Sequence, residues 1–159
     1  VTALHDDLRP VAFLLGTWRG EGRGEYPTIE PFVYAEELTF EDVGDAYLAY
    51  AQRSWDTVDR APLHLERGFL RPGADGAWEL ALAHPLGLTE VAHGSLDGHA
   101  LSFATPDGGM GRTATGLDVA AIVRRYRVEG DVLSYEIEMA TDRTPMTMHL
   151  TASLHRMSA

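Results

Sequence analysis

Apolar and polar residues alternate with a period of two along most of this chain, the pattern of half-buried β-strands. In residues 32–41, Phe32, Tyr34, Leu38 and Phe40 oppose Val33, Glu37 and Thr39. Residues 46–56 set Tyr47 and Trp55 against Leu48 and Tyr50, and residues 63–71 form another such stretch. In residues 77–84 the set Trp78, Leu80, Leu82 and His84 stands against Ala77, Glu79 and Ala81. A return strand over 87–94 follows the Pro85-Leu-Gly87 turn, and a weaker one over 96–104 is broken by the hairpin signal Asp97-Gly98. Residues 105–118, rich in glycine, form the long loop and are expected to be mobile. Strands over 120–128 and 132–140 flank Glu129-Gly130-Asp131, and the last strand runs from about Pro145 to Arg156. One segment reads as helix: residues 7–15, with Asp7 near the start, Pro10 in the first turn and Gly16 as the stop.

The stretch from Gly16 to Ile29 organises the rest. Its even positions are Gly16, Trp18, Gly20, Gly22, Gly24, Tyr26 and Thr28, while Thr17, Arg19, Glu21, Arg23 and Glu25 share the other face. Glycine inside a strand costs roughly 0.5–1 kcal/mol relative to alanine, so a bare face demands a reason. Either the strand bends hard to close a barrel, or a bulky flat group lies against the backbone. A phosphate-binding reading fails because Pro27 and Pro31 prevent the required helix. Short antiparallel connections, about ten strands and one helix predict an all-β, up-and-down barrel with the helix plugging one end. Such a barrel is wide enough for one small or medium ligand, and residues 1–159 are expected to form one domain.

A formal net charge of -11 sets a repulsive field against nucleic acid and anionic membrane surfaces. The chain has no cysteine, hence no disulfide framework, thiolate metal site or nucleophilic thiol. No apolar leader and no run near about 18 apolar residues are present, so a soluble, cytoplasmic protein is expected.

Seven histidines are the candidate metal ligands. His5, His93, His99 and His155 fall near termini or turns and read as surface residues. His64 and Glu66 share a strand face, and two explanations stand: a zinc site completed by a neighbouring strand, or a buried carboxylate–imidazole hydrogen bond. No His-Glu-x-x-His helix and no Gly-x-Ser-x-Gly elbow supports hydrolytic zinc or a serine nucleophile. Glu36 and Glu37 are adjacent, hence on opposite faces, and cannot act as an acid/base dyad. His149 alternates in phase with Thr147, Thr151 and Ser153, against Met148, Leu150, Ala152 and Leu154, which predicts an exposed imidazole.

The motif Gly16-x-Trp-x-Gly-x-Gly-x-Gly-x-Tyr-Pro-Thr-Ile29 resembles the signature of the nitrobindins, small haem-binding barrels. Phe40, Tyr50 with Gln52 and Trp55, His64-x-Glu-x-Gly-Phe-x-Arg71, Gly87-x-x-Glu90, Leu133-Ser-Tyr135 and the closing His149-Leu-x-Ala-x-Leu extend the resemblance through the chain. It implies a ten-stranded barrel like the fatty-acid-binding proteins, with one ferric haem b per chain and His149 as its axial ligand. It also implies that Leu63, His64, His84 and Met139 line the cavity, with Leu63 and His84 replacing a methionine and a glutamine of some members. Gly22, Tyr26 and Thr28 are expected against the porphyrin, and Arg125 either near a propionate or on the surface. A bulge near Pro145, or a place at the rim, would reconcile His149 as ligand with its polar phase. The implied partners are nitric oxide and peroxynitrite, the latter isomerised to nitrate at the open iron position. The competing expectation is a non-enzymatic carrier of a fatty acid or other apolar molecule, which would use an internal arginine–tyrosine clamp.

Overall fold

The structure, a computed structural model, describes residues 3–158. A 3-10 helix (Asp6–Leu14) precedes eleven strands: β1 (Gly16–Tyr26), β2 (Ile29–Asp45), β3 (Tyr47–Asp56), β4 (Pro62–Pro72), β5 (Trp78–His84), β6 (Leu88–Asp97), β7 (Ala100–Ala104), β8 (Met110–Arg112), β9 (Val119–Glu129), β10 (Val132–Thr141) and β11 (Thr147–Arg156). Strands β1 to β7 pair in chain order, β7 pairs with β9, and β9, β10 and β11 continue until β11 meets β1. Every pairing is antiparallel, and ten strands thus close into a barrel with no free edge among them.

Two boundaries differ from the sequence expectation. The chain turns at Pro27-Thr28, so Ile29 opens β2 rather than ending β1. The register slips between Gly24 and Tyr26, which leaves Pro31 outside the paired ladder, where its missing N–H interrupts no bond. Residues 105–118 are not an uninterrupted loop, because β8 inside them pairs with Leu88, Thr89 and Glu90 of β6. β7 spans only the other half of β6, and β8 takes up the backbone groups left over. Further bonds from Val91 N to Gly109 O at 2.8 Å and from Thr113 N to Gly87 O at 2.9 Å pin the segment.

The 3-10 helix closes one end. Leu8, Val11 and Leu14 are fully buried, and the Trp18 Nε1–H donates to Leu14 O at 2.8 Å. Arg156 lies 4.0 Å over the Trp18 ring and donates from Nη2 to Phe13 O at 2.9 Å. Leu38, Leu48, Leu70, Leu80, Leu101, Leu133 and Leu154 fill this half of the interior.

The bare face of β1 has two tenants. A Cβ on Gly20 would strike the backbone of β11 at Ser153 O, so Gly20 permits close strand approach. A Cβ on Gly22 or Gly24 would strike the rings of Tyr34 and Phe32. The flat groups against the glycines are therefore side chains of β2, opposite in the register, and it is Tyr34 and Phe32 that face the cavity. Gly22→Val should displace the Tyr34 ring and lower stability by about 1–3 kcal/mol, the range for overpacking. Urea unfolding would show this as a lower midpoint with an unchanged slope, and an unchanged midpoint would count against the packing described.

Candidate functional site

A cavity of about 340 Å³ occupies the end of the barrel opposite the helix. Leu63, Leu86, Leu88, Val119, Ile122, Ile137, Met139 and Leu150 make its walls apolar. Its floor is charged.

Arg124 on β9 is 2 % exposed and uses all five N–H donors. Nε donates to Glu90 Oε1 at 2.8 Å and Nη2 to Glu90 Oε2 at 2.7 Å. Nη2 also reaches Glu66 Oε1 at 2.9 Å, while Nη1 donates to Glu66 Oε2 at 3.0 Å and the Tyr126 hydroxyl at 3.3 Å. Tyr50 adds a bond to Glu66 Oε2 at 2.9 Å. Burial pushes the Glu66 carboxyl up, but Arg124 and the His64 bond outweigh it and hold it well below the usual carboxylate range. Glu90 is likewise lowered against its burial by Arg124 and His84. Two carboxylates thus share one guanidinium, leaving one negative charge over. No donor of Arg124 is spare for the carboxylate of a carried fatty acid.

The histidines continue this cluster. His84 Nε2 lies 3.1 Å from Glu90 Oε2, so it carries the proton, and Nδ1 keeps its lone pair. His64 Nε2 lies 3.2 Å from both Glu66 Oε1 and His84 Nδ1, two acceptors for its one proton. A second chain of bonds joins the Tyr34 hydroxyl to that of Tyr135 at 2.6 Å, and Tyr135 in turn donates to Glu36 Oε2. Burial, with the nearby Glu66 charge, pushes the Glu36 carboxyl up to about 7 against the opposing Tyr135 bond.

His149 sits where β11 breaks step. Leu150 pairs with Ile137 and Met148 with Glu138, so His149 is an extra residue in a β-bulge. The bulge brings both His149 and Leu150 to the cavity, and alternation alone had assigned the imidazole to the outer face. Its Nδ1 lies 2.9 Å from Glu25 O. A carbonyl only accepts, so Nδ1 carries the proton and Nε2 the lone pair. Burial holds the imidazole pKa below its ordinary value despite that carbonyl, which keeps the ring neutral at neutral pH. Tyr26 meets the ring edge-on at 5.3 Å and donates its hydroxyl to Met139 O at 3.0 Å.

Of the sequence candidates, Leu63, His64, His84, Met139 and His149 share this one cavity. Leu63 reaches it from another bulge, since Ser54 pairs with His64 but Trp55 with Pro62. Tyr26 stands behind His149, Gly22 behind Tyr34, and Thr28 is exposed in the β1–β2 turn. Arg125 lies outside, bonded to Glu138 at 2.6 Å. His5, His93, His99 and His155 are exposed, His99 stacking on Phe13. Sequence reasoning missed Arg124. The signal was its phase, shared with Ile122, Tyr126 and Val128, all buried.

An apolar cavity with a neutral, oriented imidazole in its wall has residues able to hold a haem. Fold and cavity together define a closed β-barrel of the ligand-binding class. The chain belongs to the nitrobindin family: the model of the THAP4-like, heme-binding beta-barrel domain matches residues 7–156. It is 46% identical over 157 residues to peroxynitrite isomerase 2 of Mycobacterium avium (strain 104), covering 98% of each chain. It is 45% identical over 157 residues to the peroxynitrite isomerase of Nocardia farcinica, covering 97% of this chain and 93% of that one. The crystal structure of Rv2717c from M. tuberculosis superposes with a TM-score of 0.90 at 40% identity, covering 98% of this chain and 100% of that one.

The floor supports two expectations. Arg124→Met leaves two buried carboxylates without their cation and should cost about 3–5 kcal/mol in denaturant unfolding. Glu36, with a carboxyl raised to about 7 from the ordinary 4.5, binds its proton more tightly in the folded chain. Its stabilising contribution is complete below about pH 4.5 and is lost as pH rises through about 7. The stability of the wild type relative to Glu36→Gln should therefore fall by up to roughly 3 kcal/mol across that window. A difference that stays constant with pH would mean that Glu36 is ionised throughout.

Proposed function

We propose that this chain is a haem-dependent peroxynitrite isomerase that also binds nitric oxide, acting as one barrel domain with one ferric haem b per chain. The observation that carries the reading is the Nδ1 bond of His149 to Glu25 O, which leaves Nε2 as a fixed, neutral donor in the cavity wall. Membership of a haem-binding family supports it, as do the names of the relatives. When bound, ferric haem would supply an electrophilic iron for nitric oxide or peroxynitrite.

The protein's part is binding. His149 would ligate the iron through Nε2, with the Glu25 carbonyl fixing its tautomer. Tyr26 buttresses the ring at its edge. Leu63, Leu86, Leu88, Ile137 and Met139 offer apolar walls to the ligand. His64 and His84 hold protons at Nε2, each against a carboxylate, so the polar floor keeps its arrangement beneath an apolar ligand. Small molecules are the partners this cavity takes. No helix among the described residues is long and apolar enough to cross a membrane.

His149→Ala should lose most haem, read as a diminished Soret band that does not survive gel filtration, while the barrel stays folded. In stopped flow, haem-loaded protein should speed peroxynitrite decay to nitrate in proportion to its concentration, and cyanide should return the rate to that of apo-protein. Equal acceleration by apo-protein, or indifference to cyanide, would remove the iron from the reaction and leave a carrier barrel.

A further inference from the structure

Among the described residues, one group of side chains can converge on a metal ion: His64, Glu66 and His84. Their ligand atoms form a near-regular triangle. His64 Nε2 lies 3.2 Å from Glu66 Oε1 and 3.2 Å from His84 Nδ1, and His84 Nδ1 lies 3.6 Å from Glu66 Oε1. Zinc bonds of about 2.0–2.2 Å to nitrogen and oxygen place tetrahedral ligand atoms about 3.3–3.6 Å apart. The triangle therefore needs almost no adjustment to become three corners of a zinc tetrahedron.

The surroundings are also those of a ligand set. His84 donates Nε2–H to Glu90 Oε2 at 3.1 Å, so the lone pair on Nδ1 is aimed at the triangle by a buried carboxylate. Glu66 is held by Arg124 and Tyr50, and the lone pair of Oε1 that now faces His64 Nε2 is the one a metal would use. The charge favours a cation as well, since the buried Glu66 and Glu90 outnumber the buried Arg124 by one. An added cation would offset that charge.

We propose that His64, Glu66 and His84 form a second, haem-independent site for a divalent first-row metal, best matched by Zn2+, with its fourth position open to the cavity. The metal replaces the proton that His64 shares between Glu66 and His84, and that proton moves to the other ring nitrogen. The three ligands come from β4 and β5, and all three line the cavity also lined by His149. An ion here would present an open coordination position to small anions and hydroxide.

The test uses the full chain, with and without hemin, dialysed against Zn2+ and assayed for bound metal. One Zn2+ per chain is expected in the wild type and in His149→Ala, which separates the site from the haem ligand. His64→Gln and His84→Gln should each weaken binding by at least about tenfold. Co2+ in place of Zn2+ should give the wild type the intense visible bands of a tetrahedral site, a readout that needs no variant. Absence of those bands, or Zn2+ binding equally well in the His64→Gln/His84→Gln double variant, would overturn the proposal.

Discussion

The interior of this barrel depends on one guanidinium. Arg124 reaches across the lumen from β9 to Glu66 on β4 and Glu90 on β6, and through those carboxylates to Tyr50, His64 and His84. Transferring these charges out of water is expensive, and such clusters rarely add net stability over an apolar core. Their effect is specificity: with every donor engaged, a shift of β4, β6 or β9 by one residue would leave a buried charge unpaired. The cluster ties one wall of the barrel to the other at mid-height. It also divides the lumen.

On one side of that layer the space is solid. Leucines from seven strands, Trp18 and the 3-10 helix fill it, and Arg156 clamps the helix by stacking on Trp18 and bonding the carbonyls of Phe13 and Leu15. On the other side the strands end in a cavity with aliphatic walls. A ligand entering from the open end meets apolar surface first and a saturated ionic floor afterwards. A fatty acid could not clamp its carboxylate on Arg124, all of whose donors are engaged.

Two irregularities aim the residues at the rim. The bulge on β11 turns His149 inward, and the bulge on β4 does the same for Leu63. Each adds a residue where the sheet curves toward its open end, so that neighbours in sequence face one cavity. The third irregularity, between β1 and β2, leaves Glu25 free of the regular ladder, and its carbonyl accepts the hydrogen bond from His149 Nδ1–H.

Much of this architecture was legible in the residues. The two-residue period located the barrel strands, Asp7 and Gly16 bracketed the helical plug, and the shared phase of His64 and Glu66 put both inside. The same rule separated Glu36, buried, from Glu37, outside, because alternation is a local consequence of strand geometry. Tertiary structure decided the rest. The side of His149 follows from a register slip against β10, and a slip of one residue reverses a face whatever the local pattern says. The tenants of the glycine face and the partners of Arg124 come from other strands, Glu66 lying 58 positions away and Glu90 34. Periodicity says which way a side chain points, and only closure of the barrel says what it meets there.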